Sequence, residues 1–199
     1  MSVILNDSRS SHAKGGERHF VFVLASSRRG GNSEQLARYA ARSLGNEVVQ
    51  TWISLSDFGL DDFVDQRHEG NGSYPMPEGA AMSLLEATMK ATDLVFVTPL
   101  YWYSLPTLAK RYLDHWSAWM RVENLGFVDR MAGVRLWNIT VSADEDQSFA
   151  DPLVQALRHT AGYMRMQWQG AVIGYGNRPG DVMNHPPSLA KVENFLSSV

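Results

Sequence analysis

Apolar and polar positions alternate along this chain in two rhythms. Continuous apolar runs occur at His19–Leu24, Val48–Leu55, Asp93–Thr98, Val134–Val141 and Trp168–Tyr175. Such unbroken β-branched and aromatic runs suit strands covered on both faces, as in a parallel sheet. Between them the apolar positions recur at helical spacing. Leu36, Ala37, Ala40, Ala41 and Leu44 share one face, with Asn32 placed as an N-cap, Gln35 three residues on, and Gly45 as a stop. Residues 79–91 put Ala81, Leu84, Leu85, Thr88 and Met89 on one side. Leu105, Leu108, Tyr112, Leu113 and Trp116 form a third stripe, from which Trp119 lies off to one side, as a dimer contact would. Asp151-Pro152 reads as an N-cap followed by proline at the first helical position, opening a helix to about Met164, and a last helix is expected over Ser188–Ser197.

Strand and helix therefore alternate five times, with no repeat or linker between them. That order predicts an α/β, doubly wound parallel sheet with helices on both faces. Ligands of such sheets sit beyond the carboxyl ends of the strands. The loops after the first, third and fourth strands are thus the places to look for chemistry. A long Asp-, Gly- and Pro-rich loop at residues 56–78 is the other irregular stretch, and its Asp61, Asp62 and Asp65 read as a solvated cluster.

Composition narrows the function. The 199 residues carry a net charge of −3, which argues against a nucleic-acid or anionic-membrane partner. No cysteine is present, so disulfides, thiolate metal sites and cysteine nucleophiles are excluded. The six histidines show no metal-ligand spacing and no Gly-x-Ser-x-Gly elbow occurs, so neither a metal site nor a hydrolase is expected. The apolar run Val3–Leu5 is too short for a signal-peptide core. Residues 1–17 are expected to be a flexible tail before one domain at 18–199, in a cytoplasmic protein. Six Trp, seven Tyr and eight Phe make a flat ligand worth considering.

The loop after the first strand, Ala25-Ser-Ser-Arg-Arg-Gly-Gly-Asn-Ser33, enters a helix N-terminus, where backbone N–H groups and the dipole favour an anion. It is neither a Walker loop nor a Gly-x-Gly-x-x-Gly turn. A solvated polar turn with an ordinary cap fits the same residues. The loop after the third strand, Pro99-Leu-Tyr-Trp-Tyr-Ser-Leu-Pro106, sets three aromatics in a row where they cannot all face one core. It suits either a wall for a flat ring or packing over loops or a dimer contact.

Together the two loops resemble those of the NAD(P)H-dependent FMN reductases and related flavodoxin-like quinone reductases. Ala25–Ser33 is similar to that family's Gly-Ser-x-Arg-x-x-Gly-Asn-Ser/Thr, with Ala25 in place of glycine. Pro99–Pro106 with Lys110 and Asp114 is similar to its second element. The resemblance implies the flavodoxin-like strand order 2-1-3-4-5. It implies FMN as cofactor, NADPH or NADH as co-substrate and a small-molecule acceptor such as a flavin or quinone. Hydride would pass from the nicotinamide through flavin N5, with no catalytic side chain required. Ser26, Arg28, Asn32 and Ser33 would hold the FMN phosphate, while Pro99, Leu100, Tyr101, Trp102 and Tyr103 would line the isoalloxazine. After the fourth strand the family's small residues give way to Ala143-Asp-Glu-Asp146, so only Ser142 is carried over there. A homodimer is also implied. A flavodoxin-type electron carrier and a flavin-free binding module are the alternatives.

Overall fold

The computed structural model describes residues 17–197. Five parallel strands, β1 (His19–Leu24), β2 (Val49–Ser54), β3 (Asp93–Pro99), β4 (Arg135–Ser142) and β5 (Gln167–Tyr175), form one sheet in the order β2-β1-β3-β4-β5. The helices are α1 (Asn32–Ala40), α2 (Gly79–Lys90), α3 (Thr107–Trp119), α4 (Phe127–Met131), α5 (Asp151–Tyr163) and α6 (Pro186–Val192). The strand order is the one the family resemblance implies, and the layering is as the strand–helix alternation predicts. The expected tail, apart from Glu17, lies outside the described residues.

The continuous apolar runs are explained by burial on both faces. On one face Val21, Val23, Leu94, Phe96 and Leu136 pack under α2, α3, α4 and α5; on the other Phe20, Phe22, Val95, Val97, Trp137 and Ile139 pack under α1 and α6. Each such fully buried side chain contributes about 1.5–3 kcal/mol. The N-terminal edge of the sheet is tied by a buried ion cluster. Asp93, fully buried, accepts from Arg135 Nε (2.6 Å), Arg18 Nη2 (2.8 Å), Thr92 Oγ1 (2.8 Å) and Trp137 Nε1 (3.1 Å).

Four expectations are corrected. Asn32 is the first residue of α1 and does not cap it; Gly31 holds that position and makes no side-chain cap. Ala150, not Asp151, precedes α5, because a 3-10 turn at Gln147–Ala150 runs straight into the helix. Trp119 is 1% exposed within the core, so it marks no dimer contact; as α3 extends to it, its ring packs edge-on to Tyr112 and Phe127. The last helix spans only Pro186–Val192, with a separate 3-10 turn at Phe195–Ser197. Helix α4 was not foreseen. The loop at 56–78 lies along α3, where Asp61 O meets His115 Nε2 (2.8 Å) and Asp62 pairs with Arg111 (2.8 Å), so the acidic cluster is partly ion-paired.

Candidate functional site

Because all strands are parallel, the carboxyl ends of β1, β3 and β4 meet at one edge of the sheet. Ladder bonding continues past the strand ends and fixes where the loops begin. Ala25 N donates to Val97 O (2.9 Å), Leu100 N to Val141 O (2.9 Å) and Gly176 N to Ser142 O (2.9 Å). The sequence-predicted residues thus start from a rigid frame, whichever way their loops run.

At β1–α1 the chain buries two hydroxyls where an anion-binding loop needs donors. Ser26 is 8% and Ser33 3% exposed. Ser26 Oγ accepts from Arg28 N (3.1 Å), closing the turn. The Ser33 hydroxyl, at the helix N-terminus, makes no hydrogen bond among the described residues. Arg28 is exposed and has no ion pair among the described residues, while Arg29 is bound by Asp57. Glu34 already occupies one backbone donor, accepting from Gly30 N (2.8 Å), and its charge is balanced by Arg38. A phosphate group fits this donor set: a helix N-terminus, the Ser33 hydroxyl and the unpaired Arg28 guanidinium. Asn32 is placed otherwise. Its Oδ1 accepts from Gly180 N (2.9 Å) and its Nδ2 donates to Arg178 O (2.9 Å), so its amide is spent on the loop after β5.

The aromatic loop after β3 is strained. Trp102 and Tyr103 have φ of 48° and 61°, and Ser104 N donates to Tyr101 O (3.1 Å). Two positive φ values in a four-residue turn are the pattern of a type I′ turn, normally given to Asn and Gly. Bulky residues there cost about 1–2 kcal/mol each. Trp102 is also 92% exposed, so burial does not repay that cost. Strain kept on exposed aromatics is the mark of a loop shaped for a ligand.

Two hollows flank this turn. One, of about 260 Å³, brings Leu100, Trp102, Tyr103 and Ser142 together with Ala143, Asp144 and Phe149. The other, of about 550 Å³, is lined by Leu100, Tyr101, Trp102 and the start of α3. Pro99, Ser26, Arg28, Asn32 and Ser33 line neither. Phe149 was missed by the sequence reading: its ring stands 5.4 Å from Tyr103 and tilted by 60°, closing the smaller hollow. Its signal was available, a lone aromatic in an exposed polar loop. The acids after β4 fold onto their own backbone. Ser142 Oγ accepts from Asp144 N (3.0 Å), Asp144 Oδ1 from Asp146 N (2.9 Å), and Asp146 Oδ1 from Ser148 N (3.0 Å). Hydrogen bonds from the Ser148 hydroxyl and N–H hold the Asp146 carboxyl below its usual range.

Comparison with known proteins fits this architecture. The model of the flavodoxin-like fold family matches residues 18–195, and the chain belongs to that family. A Bacillus subtilis (strain 168) protein, YwqN, provisionally named an NAD(P)H-dependent FMN-containing oxidoreductase, is 29% identical over 170 residues, covering 85% of this chain and 91% of its own. The solved structure of a Trp repressor binding protein from Bacillus subtilis superposes with a TM-score of 0.70 at 24% identity, covering 90% of this chain and 99% of its own. An NAD(P)H:quinone oxidoreductase from Methanothermobacter marburgensis gives a TM-score of 0.70 at 16% identity, covering 90% and 94%. At those identities the solved structures speak for the fold alone.

Proposed function

We propose that this member of the flavodoxin-like family is an FMN-dependent oxidoreductase that takes reducing equivalents from NADPH or NADH and gives them to a small acceptor such as a flavin or quinone. The observation that carries the reading is the pairing, on one sheet edge, of an anion loop, whose Ser33 hydroxyl and Arg28 guanidinium have no partner among the described residues, with a strained, exposed aromatic turn. Each alone suits many ligands; a phosphate tethered to a flat ring suits both. The name of YwqN points the same way.

When bound, FMN supplies the hydride-accepting N5, so no side chain need serve as an electron acceptor. Ser26, Ser33 and Arg28 bind the phosphate. Pro99–Tyr103 and Ser142 orient the ring, and Trp102, Tyr103 and Phe149 keep water from its edge. Asp144 and Asp146 have carboxylate oxygens engaged by backbone N–H groups of their own loop, and of the two only Asp144 lines the hollow, beside Ala143. The exposed aromatics of this edge support a homodimer in which the site lies near the interface. No helix among the described residues is long and apolar enough to cross a membrane, and a cytoplasmic enzyme is the reading adopted.

The experiment is a titration of the full chain with FMN, followed by NADPH or NADH and a quinone. Bound flavin with nicotinamide oxidation is the expected result. Bound flavin without oxidation would make the protein an electron carrier, and no bound flavin would make it a binding module.

A further inference from the structure

The charge around the β1–α1 loop does not balance a phosphate monoester. Such a group carries about −1.5 to −2 near neutral pH. Arg29 is neutralised by Asp57, and Glu34 is balanced by Arg38. Arg28 alone leaves about one positive charge for the ligand. A second cation stands nearby on a different element. Arg178, in the turn between β5 and α6, is exposed and has no ion pair among the described residues.

Arg178 is held beside the loop by a dedicated contact. Asn32, at the first position of α1, clasps the turn from both sides, donating to Arg178 O and accepting from Gly180 N, each at 2.9 Å. Gly180 presents that N–H from a left-handed conformation, φ 87°, that favours glycine. Gly176 leaves no room for a side chain: a Cβ there would lie 2.8 Å from Asn32 Nδ2 and 3.0 Å from Val182 N. Asp181 closes the turn from below, its Oδ2 accepting from Arg178 N (2.6 Å) and Asn177 N (3.2 Å). Arg178 is thus fixed at its backbone and free at its guanidinium.

We propose that Arg178 is a second cationic ligand of the flavin phosphate, and that Asn32 is a positioning residue that holds the Arg178 turn rather than a phosphate ligand. This rests on the FMN reading above and deepens it. A planar guanidinium from the β5–α6 turn, whose backbone is held on Asn32, would add a second cation to Arg28 at the helix N-terminus.

The test compares FMN with riboflavin, which lacks the phosphate, by equilibrium titration of the full chain. Arg178→Ala should weaken FMN binding about tenfold or more, the worth of one charge-assisted hydrogen bond, and leave riboflavin binding unchanged. Arg178→Lys should recover part of the loss. Asn32→Ala should cause the same FMN-specific loss, and the double variant should be no worse than either single one, since both act through one guanidinium. Competition by inorganic phosphate should weaken in parallel. Equal effects on FMN and riboflavin, or none, would overturn the assignment, as would additive losses for the clamp. Failure of the wider reading looks different: the unaltered protein would then bind neither flavin, or both equally.

Discussion

Among single residues, Trp102 offers the sharpest test of the proposed flavin site. A tryptophan that is 92% exposed at a φ of 48° gains little from folding and costs conformational energy. Trp102→Gly removes that strain at the cost of glycine's extra chain entropy, about 0.5–1 kcal/mol. Thermal melts without flavin should therefore show Trp102→Gly as stable as the parent or up to about 1 kcal/mol more so. FMN affinity should fall in the same variant, because base–aromatic and ring–aromatic stacking contributes about 1–3 kcal/mol. A melt lowered by several degrees with flavin binding intact would show that Trp102 serves packing instead. Arg178 belongs beside it. Neither residue can be read from periodicity, since both lie in turns, yet the rule that ligands gather at strand carboxyl ends pointed to Trp102 and was not carried on to the turn after β5.

At the scale of elements, the sheet has a functional end and a structural end. The carboxyl ends carry the loops; the amino ends are locked by Asp93 between Arg18 and Arg135. Burial pushes the Asp93 carboxyl up, but hydrogen bonds from Arg135, Arg18 and Thr92 outweigh it and hold it below the ordinary carboxylate range. With the folded value depressed, this contribution is complete above the unfolded value of about 3.9 and is lost as pH falls through the folded value. Denaturant melts should show Asp93→Asn destabilised by about 3–5 kcal/mol at neutral pH, with a smaller further loss on acidification than the parent. An unchanged midpoint would mean the cluster is neutral to stability. Helix α1 illustrates what the sequence could and could not tell. Its apolar stripe was legible, but Asn32 looks like a cap in sequence and becomes a tether in space, because the Gly176–Gly180 turn lies 144 or more positions away. Helix α4 escaped for a different reason. Five residues show no periodicity, and only the burial of Phe127 and Met131 at i, i+4 makes them a helix. Gly176→Ala should test the tether independently of charge: crowding Asn32 should weaken FMN binding more than riboflavin binding.

For the whole molecule, the doubly wound sheet was legible because both of its faces are covered, which makes each strand an unbroken apolar run. The phosphate side of the proposed site was half legible: Ser26, Arg28 and Ser33 lie in one loop at the N-terminus of α1, whereas the proposed second cation, Arg178, comes from the other end of the chain. Ligand linkage gives a global readout of this arrangement. FMN at 100 times its dissociation constant should stabilise the fold by about 2.7 kcal/mol, and riboflavin at the same concentration by much less. The central claim, that this edge of the sheet holds FMN for reduction by a nicotinamide, is met most directly by one anaerobic mixing experiment. Protein loaded with one equivalent of FMN is mixed with NADH or NADPH and the flavin's visible absorbance is followed. Loss of that absorbance in a single phase, much faster than for free FMN under the same conditions, is the predicted result; bound flavin that stays oxidised in both reductants would contradict it.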